Sequence, residues 1–458
     1  MLLLHFFTPK IAHSSYILAG NQTCAVVDPR RDVQVYIDAA RSLGVRITHV
    51  LETHLHADFI SGHLDLADRT GATIYAPQSA RCSFDHVAVS EGDEVTLEDM
   101  VLHVLETPGH TPEHVSYVVT DTSRGSEPVG VFCGDTLLVG DVGRPDLFPG
   151  RAEELAGLLF SSLHDKLMGL PDFCEAYPAH GAGSLCGRAM GAKWQSTIGY
   201  ERLYNQALLI KDRTEFINSL TTDMPPAPDH FSRCSAINGS GPALVAGLST
   251  PVPLLPAELY AKHRGDGSTV LDVRSYEAFA GQHIPGSYNI DPDTNLPILA
   301  GWVLPPDTDI ILVAPTAETA DEASVWLRRV GLDKVSGFLD GGLPGWCSAG
   351  YETASIELLS PARFHDRLLS DHTLEVVDVR TKAEYDDTHI KRAAHMPVAD
   401  LRTRCSEFAP TSPIALICSD GQRASLGASI LKQHGFTSVT NVAGGMTGYL
   451  AAGLPTEL

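Results

Sequence analysis

The C-terminal half of this chain contains an internal repeat, which limits the fold more than any other feature. The segment LDVRSYEAFAGQHIPGSYNI begins at Leu271, and the similar segment VDVRTKAEYDDTHIKRAAHMP begins at Val377. The matched pairs are Asp272 with Asp378, Arg274 with Arg380, Phe279 with Tyr385, and His283 with His389. Each copy alternates β-rich and helical segments, which is typical of a parallel sheet covered by helices. We therefore expect two related α/β domains, at residues 255–355 and 358–458.

Residues 1–245 are expected to form a separate domain. Short β-rich runs such as YILAG, CAVVDP and LHVLETP alternate there with helical stretches such as VQVYIDAARSLG. The apolar start MLLLHFFTPK is too short for a signal sequence and predicts a first strand. Residues 190–218 predict one or two helices. The Pro-, Gly- and Ser-rich stretch after residue 220 predicts an extended linker or a tail that wraps a domain.

Charge and cysteine usage exclude several function classes. The formal net charge is −23, and so acidic a surface repels phosphate backbones, which argues against a nucleic-acid partner. No apolar run is long enough for a membrane span, so we expect none. The nine cysteines are scattered and include no CxxC pair, a pattern typical of a reduced, cytoplasmic protein.

Metal-ligand residues follow several predicted strands of the N-terminal domain. His54, His56 and Asp58 stand at alternate positions just after the β-rich run ITHVLE. Ligand-type side chains after later strands are His110, Asp135 and His180. In each case the polar residue stands at the end of a strand, where loops gather, so we expect these side chains to form one metal site.

The order of these motifs resembles the metallo-β-lactamase superfamily over residues 1 to about 220. The resemblance implies an αββα sandwich. The usual motif is HxHxDH, but Phe59 stands at its last position, so one ligand of a second metal is missing. With Phe59 at this position, the sequence resembles the persulfide dioxygenase branch of the superfamily. That resemblance implies one Fe(II) held by His54, His110 and Asp135. Two imidazoles and one carboxylate leave coordination positions open for O2 and substrate, although such ligands also accept zinc.

The other polar residues of the motifs are interpreted as groups that orient the ligands. They are His56, Asp58 and His180. A partial second zinc site is the rival interpretation, and Phe59 argues against it. The remaining histidines of this region are expected to be surface or packing residues: His63, His86, His103, His114 and His164.

The stretch GDTLLVGDVGRPDL is similar to a GD…GR.D signature of the same branch. The similarity places Arg144 and Asp146 near the site as substrate-binding residues. Arg144 would pair with a carboxylate of the thiol that carries the persulfide. A loop-stabilising ion pair between Arg144 and Asp146 is the alternative.

The second repeat contains a cysteine loop suited to sulfur transfer. An apolar strand leads into Cys418, and a short loop with Gly421 leads into a helix. The loop N–H groups and the helix N-terminus would favour a thiolate and an anionic persulfide. Arg423 adds a positive charge suited to sulfite or thiosulfate. The CxxGxRA pattern resembles the rhodanese family, which implies that Cys418 is the sulfur-carrying nucleophile.

The first repeat departs from this pattern. Ala314 stands opposite Cys418, Thr319 stands opposite Arg423, and Glu318 brings a negative charge. This copy cannot carry sulfur on its loop, so we interpret it as an inactive spacer or interface domain. Cys347 is expected to be a packing residue.

Together the resemblances imply a persulfide dioxygenase and sulfurtransferase. An Fe(II) site would use O2 to oxidise a low-molecular-weight thiol persulfide to sulfite and free thiol, and Cys418 would transfer sulfane sulfur to or from thiosulfate. The thiol carrier stays open between glutathione, coenzyme A, bacillithiol and others. This branch often dimerises, which leaves a homodimer or other homo-oligomer open.

Two other functions compete with this interpretation. One is a zinc-dependent thioester hydrolase, similar to glyoxalase II, with accessory rhodanese domains and a metal-activated water. The other is a non-enzymatic sensor or scaffold built from decayed domains. The intact ligand set and the intact CSDGQRAS loop argue against the second alternative.

Overall fold

The computed structural model describes residues 1–188, 190–222 and 224–457. Two compact units divide the chain. The first comprises Met1–Leu248 and Arg328–Gly331, and the second comprises Ser249–Leu327 and Leu332–Leu458. Among the described residues, no helix has the length and apolar character needed to cross a bilayer.

The first unit is built on two sheets. Its strands are β1 (Leu2–Thr8), β2 (His13–Ala19), β3 (Thr23–Val27), β4 (Arg46–Leu51), β5 (Thr73–Pro77), β6 (Val87–Val89), β7 (Glu94–Leu97), β8 (Met100–Glu106), β9 (Val115–Asp121), β10 (Gly130–Gly134), β11 (Leu137–Leu138), β12 (Asp141–Val142), β13 (Glu175–Pro178) and β14 (Ser196–Thr197). One sheet has the order β1-β2-β3-β4-β5-β6, the other has the order β14-β13-β10-β9-β8-β7, and β11 and β12 pair with each other as a separate two-stranded sheet.

Helices cover the outer faces of these sheets. They are α1 (Gln34–Leu43), α2 (His63–Thr70), α3 (Ala152–Ser161), α4 (Ile198–Tyr204), α5 (Gln206–Leu209) and α6 (Arg213–Thr221). A further helix, α7 (His230–Ser240), packs Phe231 in a separate cluster with Ala57 and Cys186. In β2, Ile17 packs in one cluster with Tyr36 of α1, whereas the next residue, Leu18, packs in another cluster with Tyr117 of β9. The strand period of two therefore separates the helix-facing layer from the layer between the sheets.

The second sheet shows the same alternation. Tyr117 belongs to the layer between the sheets, whereas Val118 packs with Leu159 of α3 and Phe216 of α6. The layers are thus helix, sheet, sheet and helix, which confirms the predicted αββα sandwich. The predicted first strand is also confirmed, because β1 pairs antiparallel with β2 over its whole length.

Two secondary-structure predictions need correction. Residues 190–218 were expected to form one or two helices, but three helices, α4, α5 and α6, begin within this stretch. Asn205 and Asp212 cap new helices, accepting hydrogen bonds from the backbone N–H of Ala207 at 3.1 Å and Glu215 at 2.8 Å. The stretch after residue 220 is not extended throughout, because α7 forms there and buries Phe231.

The second unit contains two similar parallel sheets. Its strands are β15 (Val252–Leu254), β16 (Thr269–Asp272), β17 (Tyr288–Asn289), β18 (Ile310–Val313), β19 (Val335–Leu339), β20 (Glu357–Leu359), β21 (Glu375–Asp378), β22 (Ala394–His395), β23 (Ile414–Ile417) and β24 (Val439–Val442). The orders are β15-β19-β18-β16-β17 and β20-β24-β23-β21-β22, so the two sheets have the same topology.

Helices also recur at matching places in the two halves of this unit. They are α8 (Pro256–Ala261), α9 (Tyr276–Gly281), α10 (Leu296–Val303), α11 (Ala317–Arg329), α12 (Gly342–Ser348), α13 (Pro361–Ser370), α14 (Lys382–Asp387), α15 (Leu401–Arg404), α16 (Gln422–Gln433) and α17 (Gly445–Ala451). The predicted pair of α/β domains with parallel sheets is confirmed.

Candidate metal centre and sulfur-transfer loop

Three buried side chains meet beside the ends of strands in the first unit. His54 follows β4, His110 lies in the loop between β8 and β9, and Asp135 directly follows β10. Asp135 Oδ2 lies 3.4 Å from His110 Nε2 and 3.8 Å from His54 Nε2. One ligand atom of each residue lies within 4.8 Å of the others, so this group could hold a metal ion.

Hydrogen bonds set the tautomers of the two histidines. His110 Nδ1 lies 2.9 Å from the Arg144 carbonyl, which can only accept, so Nδ1 carries the proton. The Thr53 hydroxyl donates to the Asp28 carboxylate and therefore accepts from His54 Nδ1, at 2.9 Å. Both Nε2 atoms keep a lone pair for a metal, and among the described residues His110 Nε2 has no hydrogen-bond partner. Burial lowers the pKa of both imidazoles, which favours this neutral form.

His180 joins the ligand carboxylate to a second carboxylate. Its Nδ1 lies 2.8 Å from Asp135 Oδ1, and its Nε2 lies 2.8 Å from Asp58 Oδ2. Burial alone would lower the pKa of His180, but Asp135 and Asp58 raise it well above its usual value. Burial opposes the ionised form of Asp135, yet His180 holds the pKa of that carboxyl well below its usual range. The series Asp58, His180 and Asp135 supports the predicted role of Asp58 and His180 in orienting the ligand carboxylate.

His56 and Phe59 lie beside the ligands without adding a further one. His56 Nε2 lies 3.2 Å from Asp28 Oδ1, and its ring packs on that of His54 with centroids 4.1 Å apart, so it contacts a ligand directly as well as the carboxylate that accepts the Thr53 N–H. The Phe59 ring is fully buried, with its centroid 4.4 Å from that of His56 and 4.1 Å from that of His13. An apolar ring thus stands where the HxHxDH motif would place an imidazole.

His114 holds two of the ligands, a role that the sequence interpretation missed. Its ring stacks on His54 with centroids 4.8 Å apart, and its Nε2 accepts the backbone N–H of Asp135 at 3.0 Å. A Cβ on Gly134, which has φ +48°, would lie 2.3 Å from that nitrogen. Burial lowers the pKa of His114 to about 3, so this histidine is a neutral acceptor. It stands four residues after His110, which was the one available signal.

Cys418 directly follows β23 in the second unit and is fully buried. The backbone N–H of Gly421 donates to Cys418 Sγ at 3.1 Å, and the N–H of Met446 donates to the Cys418 carbonyl at 2.7 Å. Burial raises the pKa of this thiol, whereas the loop N–H groups and the charge of Arg423 lower it. The predicted bias of the loop towards the thiolate is therefore opposed by desolvation.

Arg423 already has a partner. Its guanidinium donates to both carboxylate oxygens of Glu384, at 2.9 and 2.7 Å, and to the Ser419 hydroxyl oxygen at 2.8 Å. Glu384 therefore offsets the positive charge that was expected to attract sulfite or thiosulfate. The predicted role of Arg423 is corrected accordingly: its charge is paired with Glu384, and its guanidinium also stabilises the loop through the Ser419 hydroxyl.

The matching loop of the first repeat has no such apparatus. Ala314 follows β18 as Cys418 follows β23, so the predicted alignment of the two loops agrees with the strands. The Thr316 hydroxyl accepts the backbone N–H of Thr319 at 3.2 Å, which caps the start of α11. Cys347 packs against the apolar cluster of its own domain, as expected.

Comparisons with known proteins match both kinds of domain. The model of the metallo-beta-lactamase superfamily matches residues 9–180, and that of the rhodanese-like domain matches residues 255–349 and 360–452. The human mitochondrial persulfide dioxygenase ETHE1 is 30% identical over 261 residues, covering 55% of this chain and 91% of that protein. A solved metallo-beta-lactamase from Staphylococcus aureus subsp. aureus COL is 34% identical with a TM-score of 0.66, covering 74% of this chain and 98% of that chain. This chain belongs to the metallo-β-lactamase superfamily.

Another relative of this metallo-β-lactamase domain has a different named activity. The hydroxyacylglutathione hydrolase of Prochlorococcus marinus is 33% identical over 208 residues, covering 44% of this chain and 75% of that protein. The chain thus has homology to persulfide dioxygenases and to hydroxyacylglutathione hydrolases, and it contains two rhodanese-like domains.

Arg144 of the metallo-β-lactamase domain is almost fully buried. It binds both carboxylate oxygens of Asp146 at 2.7 Å and donates to the carbonyls of Leu185 at 3.2 Å and Pro225 at 2.5 Å. These bonds favour the loop-stabilising alternative for the Arg144–Asp146 pair. Substrate binding by either residue stays a prediction.

Helix α7 fastens the loop that carries the first ligands. Asn238 donates to the carbonyls of His56 and Phe59, both at 2.8 Å, and accepts the backbone N–H of Ser61 at 2.9 Å. These contacts link positions that are far apart in the chain. Nothing in the sequence around Asn238 signals this role.

Proposed function

We propose that this chain is a persulfide dioxygenase and sulfurtransferase. One thiol persulfide, RSSH, reacts with O2 and water to give RSH, sulfite and two protons at the site of His54, His110 and Asp135, with one Fe(II). The observation that carries the proposal is this buried ligand group beside Phe59, which stands where a second metal would need a ligand. Homology to the human persulfide dioxygenase supports the same reaction.

The residues fit a single metal ion of the non-haem iron type. Two neutral imidazoles and one ionised carboxylate match the ligand set that leaves coordination positions open. The unpaired Nε2 of His110 is a buried polar atom that such an ion would satisfy. Bound Fe(II) would supply the one-electron chemistry that O2 needs in order to react with a persulfide.

The chain's own residues keep this site ready. His180 and Asp58 hold the Asp135 carboxylate in its ionised form, and His114 holds the backbone beside it. The burial of all three ligands limits the access of bulk water. Arg144 and Asp146 remain candidate contacts for the thiol carrier.

Cys418 would carry the second reaction. Its thiol takes the outer sulfur of RSSH, which releases RSH and leaves a cysteine persulfide. Sulfite then takes that sulfur, which gives thiosulfate and restores the thiol. The N–H of Gly421, aimed at Sγ, would stabilise negative charge on the sulfur in both steps.

The dioxygenase is tested by oxygen uptake. Iron-loaded, anaerobically prepared protein is mixed with glutathione persulfide and O2, and sulfite and thiosulfate are quantified. We expect His54→Ala to lose bound iron and at least ~10³-fold in uptake, because a ligand is removed. The control is His103→Ala, since His103 is an exposed partner of Glu94 and should leave both quantities unchanged. Absence of uptake by the iron-loaded parent with any low-molecular-weight persulfide would contradict the proposal.

One observation favours the zinc-dependent thioester hydrolase as a second candidate. Cys186 is buried beside Asp58 and His180, and one ligand atom of each lies within 4.8 Å of the others. A thiolate there could replace the ligand lost at Phe59, and a hydrolase is among the relatives. Two metal ions per chain, with turnover of S-lactoylglutathione and no oxygen uptake, would establish this candidate instead.

A further inference from the structure

The repeat that lacks the thiol reaches the loop that carries it. Tyr276, at the start of α9, lies against Gly421 in the loop that follows Cys418. The backbone N–H of Gly444 donates to the Tyr276 hydroxyl at 3.3 Å. A Cβ on Gly421 would lie 3.0 Å from the Tyr276 ring, so the ring packs directly on this glycine.

The two contacted glycines are the ones that shape the sulfur site. Gly421 has φ +105° and supplies the N–H that donates to Cys418 Sγ. Gly444 stands just before α17, whose first N–H groups bind the carbonyls of Cys418 at 2.7 Å and Ser419 at 2.9 Å. A side chain that restrains both glycines therefore restrains the cradle around the sulfur.

Tyr276 is itself firmly held in the first repeat. Its backbone N–H donates to Asp291 Oδ2 at 3.0 Å, and the Asp291 side chain is almost fully buried. Ser275 caps the same helix by accepting the N–H of Ala278 at 3.4 Å. The ring thus projects from an anchored helix start.

The contact is not reciprocated by the second repeat. Lys382 matches Tyr276 in the alignment, but its side chain is 75% exposed and pairs with Asp386. A second contact joins the repeats nearby, because the Ser425 hydroxyl donates to Asn289 Oδ1 at 2.6 Å. The first repeat therefore faces the cysteine loop and the first turns of α16, although its own loop carries no thiol.

We propose that Tyr276 is a positioning residue of the Cys418 site. Its ring and hydroxyl hold Gly421 and Gly444 so that the Gly421 N–H stays directed at the sulfur. The inactive repeat is then a functional part of the sulfurtransferase. This inference rests on the proposed role of Cys418, but it concerns the thiol itself and is testable without turnover.

The test measures alkylation of Cys418 against pH in the full-length protein. Iodoacetamide labelling of the Cys418 peptide is followed by mass spectrometry, so the other cysteines do not interfere. In Tyr276→Ala we expect the midpoint to move to higher pH by roughly 0.7–1 pH unit, which lowers the thiolate fraction at pH 7 about five- to tenfold, because the hydrogen bond to the charged sulfur is weakened. Tyr276→Phe keeps the ring and should show at most half of this midpoint shift.

Two control variants separate positioning from packing. Lys382→Ala, at the matching exposed position, should leave the midpoint unchanged. Ser425→Ala removes another hydrogen bond between the repeats and should lower the unfolding temperature without moving the midpoint. A folded Tyr276→Ala protein with the parent's midpoint would overturn the proposal, as would an equal shift in Ser425→Ala.

Sulfur transfer from thiosulfate to cyanide provides a second readout. Tyr276→Ala should lower kcat about tenfold, because the same hydrogen bond acts on the reacting sulfur. Should the parent protein show no sulfur transfer at all, the proposed function of Cys418 fails while the alkylation shift still decides the role of Tyr276. A normal kcat together with an unchanged alkylation midpoint in Tyr276→Ala would overturn the proposal.

Discussion

The two rhodanese-like domains share a framework and differ at the place where chemistry would occur. Each has a buried carboxylate that binds an arginine two residues later, Asp272 with Arg274 at 2.5 Å and Asp378 with Arg380 at 2.6 Å. Each also stacks an aromatic ring on a histidine four residues later, with centroids 3.9 Å apart in the first and 4.0 Å apart in the second. The sheet orders are the same.

The two domains differ most consequentially in the loop that follows β18 in the first repeat and β23 in the second. Cys418 and Arg423 are replaced by Ala314 and Thr319, and the strand and helix on either side of the loop are kept. The buried pairs and the sheet therefore specify the domain independently of its sulfur chemistry. The first repeat has Ala314 in place of a thiol and contributes the Tyr276 ring to the cysteine loop of the second repeat.

The largest expected effect comes from exchanging the loop cysteine. Cys418→Ser should reduce thiosulfate:cyanide sulfur transfer by more than ~10³-fold, because the nucleophile is lost. Adding Ala314→Cys to that variant should not restore activity, since Thr316 and Glu318 stand where the glycine loop is needed. Oxygen uptake at the metal centre serves as the control and should stay at the parent value. Recovery of most of the activity by Ala314→Cys would show that the surrounding loop is dispensable.

An intermediate effect is expected from the shared ion pairs. Asp272→Asn and Asp378→Asn should each cost about 3 kcal/mol of unfolding free energy, because each leaves a largely buried arginine without its carboxylate. The cost for Asp378→Asn should be slightly larger, since the Arg380 side chain is 6% exposed and that of Arg274 is 13% exposed. Urea unfolding of both variants measures this difference. A cost below about 1 kcal/mol in one repeat alone would mean that the framework is not equivalent.

The smallest effect concerns a pair that only the second repeat has. Glu384 binds Arg423, whereas Ala278 stands at the matching position. Burial opposes ionisation of Glu384, but Arg423 lowers its pKa well below the usual value. The pair therefore stabilises the folded chain above roughly pH 4, and this stabilisation is lost progressively as the pH falls further. Because Glu384 is partly exposed, Glu384→Gln should cost under about 1 kcal/mol at pH 7.

The same variant distinguishes this pair from general acid sensitivity. The stability difference between Glu384→Gln and the parent should shrink when urea midpoints are measured at pH 3 instead of pH 7. Glu322→Gln in the first repeat is the control, because that carboxylate is exposed on α11, away from the loop. If the stability difference between Glu384→Gln and the parent is the same at pH 3 and pH 7, the negative charge of Glu384 does not stabilise the folded chain.

Much of the fold followed from local patterns. The repeat around Asp272 and Asp378 predicted two domains of one kind, and the apolar run at the start of the chain predicted β1. The number of helices between residues 190 and 221 did not follow, because it depends on whether Asn205 and Asp212 cap new helices or lie within a longer one. Helix α7 was hidden by a composition that is typical of linkers, since its burial against the metal loop outweighs weak local propensity.

The candidate sites divide in the same way. Ligand types at strand ends are visible in a sequence, so His54, His110, Asp135 and Cys418 could be named as candidates from spacing and motif. The groups that hold them, such as Asn238, Glu384 and Tyr276, are common polar residues at large and irregular separations along the chain. A hydrogen bond requires an approach within about 3 Å, and only the packing of distant segments brings these atoms that close. The amino-acid order therefore specified which chemistry is available, and the packed chain selected the neighbours that orient it.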